Sequence, residues 1–156
     1  MLNSSTLRDI LKEIFGIDDA HLVPINTDWF VPTIDPGDKV SSWIGYRIQS
    51  KKPYVRAYQA GTYMEKPIRV NFRLTFMGPQ AESLADQVLL WEDRWDVQEA
   101  FDKRKAQINY VDRTCFTYPI RNGGFNDEIC WIVDMTAQTS YEADTKQTPW
   151  VKPKES

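Results

Sequence analysis

A chain of 156 residues with 42% hydrophobic and 26% charged residues has the composition of one globular domain, long enough to bury roughly two thirds of the surface its unfolded chain exposes. A net charge of -3 disfavours nucleic-acid binding as the main task, and no apolar run approaches the ~20 residues of a membrane-spanning helix. Met1 to Ser5 lacks the basic start and apolar core of a secretion signal, so synthesis in the cytoplasm is expected.

From about Ser5 to Phe15, Leu7, Ile10, Leu11, Ile14 and Phe15 form one apolar stripe, which predicts a helix closed by Gly16 in a left-handed cap. Ile17 to Lys39 carries Pro24, Pro32 and Pro36, which predicts an extended, turn-rich connection with one short strand near Leu22 to Ile25. Val40, Ser42, Ile44, Tyr46 and Ile48 then alternate with polar or small neighbours and with Trp43, a second strand interrupted by Lys51-Lys52-Pro53. Tyr54 to Gln59 reads as a further strand, and Ala60-Gly61-Thr62 as a turn.

The most patterned stretch is Ile68 to Glu82. Ile68, Val70, Phe72, Leu74 and Phe76 alternate with Arg69, Asn71, Arg73 and Thr75, a strand with one buried and one wetted face. Gly78-Pro79 ends it and opens a helix, because proline tolerates a first helical turn but not a sheet ladder. Leu84, Val88, Trp91 and Trp95 predict one apolar helix stripe, and Asp96, with Glu99 three residues on, predicts the cap of a following short helix. Gln107 to Val111 and Arg113 to Ile120 read as short strands, and Arg121-Asn122-Gly123-Gly124 as a turn. The last long strand puts Ile129, Trp131, Val133, Met135 and Ala137 on one face.

Residues 1–140 are therefore expected to form a single α+β domain, a mixed, largely antiparallel sheet with helices packed on one face. Residues 141–156 are expected to leave it as an extended tail. Trp150 either docks on another surface or packs back locally.

The residue types of an active site do not converge in the sequence. Nucleophilic catalysis usually needs a base beside the nucleophile, yet the single histidine, His21, lies in the proline-rich connection after Asp18 and Asp19 and reads as a solvated loop residue. No phosphate-binding loop, dinucleotide fingerprint, HExxH or GxSxG occurs. Cys115 and Cys130 lack metal-ligand spacing and read as buried reduced thiols. Glu92, Asp93, Asp96, Glu99 and Asp102 sit where a wetted helix face and a cap would place them, which outweighs a paired-carboxylate hydrolase. No catalytic residue, metal or cofactor is assigned.

Charge is segregated along the chain. Lys39 to Arg73 holds eight bases against Glu65, and Glu82 to Asp102 holds seven acids against Arg94. The two halves can neutralise each other within one subunit, where surface pairs contribute little. Alternatively, a basic patch on one subunit meets an acidic patch on the next, as a head-to-tail ring requires. On the second reading Arg69, Arg73, Glu92 and Asp93 are candidate interface residues, with Trp150 as an anchor.

Two local words resemble the tail-terminator, or neck-terminator, proteins of long-tailed bacteriophages. One is Phe72-Arg73-Leu74-Thr75-Phe76-Met77-Gly78-Pro79-Gln80-Ala81, similar to the family's strand that ends in an aromatic-x-Gly-Pro-Asn/Gln-Ala turn and enters a helix. The other is Glu128-Ile129-Cys130-Trp131-Ile132-Val133-Asp134, similar to a late strand with Glu, Trp and Asp in matching places, although Ile129 and Cys130 replace the Asp-Arg typical before the Trp. The resemblance covers about Val40 to Gln138. It implies a hexameric ring in the virion, at the junction of tail and neck, that caps the tail tube and stops its polymerisation. The implied partners are further copies of the chain, the tail tube protein and neck or connector proteins. DNA would pass through the channel without specific binding, and no membrane is involved. Another ring component of the head-tail connector is the nearest alternative, and a small-ligand binding or enzymatic domain built on the aromatic-rich face is the alternative from a different class.

Overall fold

The computed structural model describes residues 1–25, 42–108, 116–121 and 129–144, with the backbone alone at 60, 116–121, 129 and 144. One strand organises them. β4 (Tyr63–Met77) buries Ile68, Val70, Phe72, Leu74 and Phe76 on one face, because successive side chains of a strand point to opposite sides. Its other face carries Arg69, Asn71, Arg73 and Thr75, and of these only Thr75 is buried.

On one edge β4 pairs antiparallel with β2 (Trp43–Pro53) and β3 (Tyr58–Ala60), and on the other with β7 (Ile129–Asp144). The far edge of β7 takes β5 (Ala106–Ile108) and β6 (Phe116–Arg121), both antiparallel. β1 (Leu22–Pro24) joins β2 in parallel, so the sheet is mixed and largely antiparallel.

Three helices cover the apolar face. α1 (Ser4–Phe15) buries Leu7, Ile10 and Leu11, α2 (Ala81–Val88) buries Ala81, Ala85 and Val88, and α3 (Trp95–Asp102) buries Val97, Ala100 and Phe101. All join one core with Ile44, Tyr46, Val133, Met135, Ala137 and the inward residues of β4. The protein is thus an α+β fold with helices packed on one face of the sheet. Aromatic rings tie the layers: Phe15 meets Phe76 edge-on at 5.9 Å, and the fully buried Trp91 lies 5.8 Å from Phe15 and 5.9 Å from Phe101. α1 is capped at both ends, by Asn3, whose side-chain oxygen accepts from the Thr6 N–H at 2.9 Å, and by Gly16 at φ 61°.

Several elements differ from the sequence expectations. β2 does not stop at Lys51-Lys52-Pro53; a bulge between Ile48 and Ser50 shifts the register by one, and pairing continues to Pro53 opposite Ile68. The strand expected over Tyr54 to Gln59 is the short β3. β7 runs to Asp144, past the expected start of the tail at Tyr141, because Tyr63 to Lys66 of β4 give its last four residues partners. It also buries Cys130, Ile132 and Thr136 on the face opposite Val133, Met135 and Ala137, so it is covered on both sides. The single stripe through Trp95 breaks. α2 ends at Val88, Trp91–Asp93 forms a one-turn helix, and Trp95 emerges in solvent at the start of α3. The cap of α3 is Arg94, which makes no side-chain cap bond, and Asp96 sits in the first turn, where its carboxylate still favours the helix dipole. Val40, Cys115, residues 109–111, 113–115 and 122–124, and Trp150 lie outside the described residues, as do residues 145–156 of the expected tail.

Candidate assembly surfaces

The outward face of the sheet is organised in polar rows across the strands. Asn71 donates to Ser50 Oγ at 3.0 Å and accepts from Thr136 Oγ1 at 2.7 Å. In the next row Arg73 and Asp134 are cross-strand partners, with Nε to Oδ1 at 2.7 Å and Nη2 to Oδ2 at 3.1 Å. This two-pronged contact commits Arg73 within its own subunit. Arg69 holds its guanidinium 4.8 Å from the centre of the Tyr54 ring, a cation–π contact.

Glu92 and Asp93 lie elsewhere, on the one-turn helix between α2 and α3. The structure therefore groups Arg69 with Arg73 and Glu92 with Asp93, the first pair on the open face of β4 and the second on the helix layer. Trp150, the remaining candidate, is outside the described residues.

Two surfaces that the sequence reading did not single out are more open than those residues. The first is an arm. The distal half of β2, β3 and the start of β4 form a hairpin that turns at Gly61, φ 65°, and Ala60 pairs with Tyr63 across the turn. From Gln49 to Met64 nearly every described side chain is exposed, including Tyr54, Val55, Tyr58, Tyr63 and Met64. Lys51, Lys52 and Arg56 add three positive charges, none in an ion pair among the described residues.

Near its turn the arm is fastened by phenol–carboxylate bonds. Tyr58 donates to Glu65 at 2.5 Å and Tyr63 donates to Glu142, which also receives Lys105 Nζ at 3.3 Å. The bond to Glu142 pushes the Tyr63 hydroxyl up to about 12, and the same bond, followed by Lys105, holds Glu142 below its usual range. The acids Glu65 and Glu142 are thus occupied beside the turn, which leaves the exposed arm basic.

The second surface is a corner in the helix layer. Leu89 is 47% exposed, Leu90 58% and Trp95 78%, around the break between α2 and α3. Glu82 and Asp86 on α2, Asp93 on the one-turn helix and Glu99 on α3 are exposed and carry no ion pair among the described residues, whereas Asp96 is taken by Arg94 at 2.5 Å. Lys103 and Arg104, at the end of α3, are drawn away to Glu13 of α1 at 2.9 and 2.8 Å. The α2–α3 segment therefore combines exposed apolar side chains with unpaired acids.

An open groove of about 380 Å³ runs beside the arm, lined among others by Tyr54, Glu65, Gln107, Gln138 and Glu142. Two of its three carboxylates, Glu65 and Glu142, already accept from Tyr58, Tyr63 and Lys105; the third is Asp102. Among the described residues no group of three His, Cys, Asp or Glu side chains is placed to hold a metal ion. His21 is not a plain solvated loop residue. Its backbone N–H and its Nδ1 both meet Asp18, the latter at 2.5 Å, and its ring lies 5.0 Å from Trp43, so it closes a local turn against the sheet edge. Cys130 is buried and outside any disulfide.

A signal for both surfaces is present in the sequence. Leu89 and Leu90 fall out of phase with Leu84, Val88 and Trp91, and Lys51 to Tyr63 intersperses three tyrosines with three bases and no acid. Compared with known proteins, the chain matches no protein-family model and no curated protein sequence.

Proposed function

We propose that the protein is a virion structural component that caps a phage tail tube, stops its polymerisation and joins tail to neck as a ring, with six subunits as the resemblance implies. The observation that carries this reading is the presence, on one sheet-and-helix body, of two surfaces of different chemistry, the basic aromatic arm and the acidic apolar corner. A head-to-tail ring needs two unlike surfaces per subunit, and it closes when the rotation between neighbours allows. Segregated charge supports the same arrangement, since it steers association and disfavours like-to-like contacts.

Terminating a polymer requires no chemistry. A ring that fits the open end of the tube with one face, and offers on the other a surface the tube subunit cannot match, ends growth. The neck then binds the face left open.

The test is to add the purified chain to tail-tube subunits during polymerisation and to measure tube length by electron microscopy. Shortened tubes with a ring at one end support the proposal. Tubes of unchanged length with bare ends overturn it, and rings that form but ignore tubes point to another component of the connector.

A further inference from the structure

We infer that the arm of one copy docks on the α2–α3 corner of the next copy, with Tyr54, Val55 and Tyr58 set against Leu89, Leu90 and Trp95. This rests on the ring reading above and names the contact that builds the ring.

Among the described residues both surfaces expose large apolar side chains, although in the arm the Tyr54 ring also meets Arg69 and the Tyr58 hydroxyl donates to Glu65. Each combines exposed apolar and aromatic side chains with charged ones, the components of an interface core and its polar rim. Trp95 is the most exposed of the large hydrophobic side chains described. Isolated exposed apolar residues are ordinary, but Leu89, Leu90 and Trp95 expose three large apolar side chains within one short segment at a helix break.

Charge selects the partner. Lys51, Lys52 and Arg56 on one arm repel the same residues on another arm, and Asp86, Asp93 and Glu99 do likewise between two corners. Arm on corner brings opposite signs together and leaves an open chain of copies with one unused arm at one end and one unused corner at the other until a ring closes. Arg73 and Arg69 are not required, because Asp134 and the Tyr54 ring already engage them.

Two variants of the full chain test this by sedimentation velocity across a concentration series. Lys52→Glu with Arg56→Glu spoils the arm, and Asp93→Lys with Trp95→Ser spoils the corner. All four positions are solvent-exposed, so circular dichroism should show both variants folded as the parent is. The parent should assemble, while each variant alone should need about tenfold more protein or stay monomeric. Mixed in equal amounts, the variants should form dimers and go no further, because only one intact arm and one intact corner meet. A parent that is monomeric throughout, or a variant that assembles like the parent, overturns the inference. In the second case tube capping can still hold through a different ring contact; in the first, the tube-length assay decides independently whether capping survives.

Discussion

Trp91 and Trp95 stand four residues apart on what periodicity treats as one stripe, yet they do opposite things. Trp91 is fully buried between Phe15 and Phe101, so Trp91→Ala should lower stability by about 3–5 kcal/mol in chemical denaturation. Trp95→Ser should change it by no more than about 0.5 kcal/mol and act on assembly alone. Arg73 follows the logic of Trp91 more than that of Trp95. Reversing it to Glu places a carboxylate opposite Asp134, which in this partly exposed pair should cost about 1–2 kcal/mol in urea unfolding, with ring formation intact once the protein is folded. Tyr63 gives a pH signature. Its native value of about 12, against an ordinary 10.0, means that the native state holds the proton more tightly than the unfolded chain. The contact therefore stabilises fully below pH 10 and is lost as pH rises towards 12. Ultraviolet titration should show a late-ionising tyrosine that moves back towards 10.0 in Glu142→Gln.

Among the elements, those governed by local pattern were legible in the sequence. α1 follows from its apolar stripe and Gly16, and β4 follows from strict alternation closed by Gly78-Pro79. Gly16→Ala should accordingly destabilise the protein by about 1 kcal/mol, read from thermal or urea unfolding, because a Cβ is strained at φ 61°. What could not be read depended on partners distant in sequence. Lys51-Lys52-Pro53 reads as an interruption, but β4 supplies a ladder for it and the bulge after Ile48 absorbs the change of register. Beyond Tyr46, where pairing with β1 ends, β2 is an edge strand among the described residues, and there a proline is tolerated. The helix break at Leu89-Leu90 was likewise not legible: Trp91 joins the core beside Phe15 and Phe101 as the stripe predicts, although α2 has already ended at Val88.

At the scale of the whole molecule, the segregated charge was visible along the sequence, but its use was not. The intrasubunit contacts of Arg69 with the Tyr54 ring and of Arg73 with Asp134 are invisible in one dimension, because they join positions distant in sequence. The arm and the corner emerge only when the exposed tyrosines, the out-of-phase leucines and the unpaired charges are placed in space. Their chemistry predicts an association that opposite charges steer and apolar side chains hold, so salt should slow assembly more than it weakens the finished ring.

The most direct measurement is negative-stain electron microscopy of the purified full-length chain over a concentration series. The account predicts closed rings of one size around a central channel. Solitary molecules at every concentration, with a small metabolite held in the groove beside Tyr54 and Gln138, would contradict it.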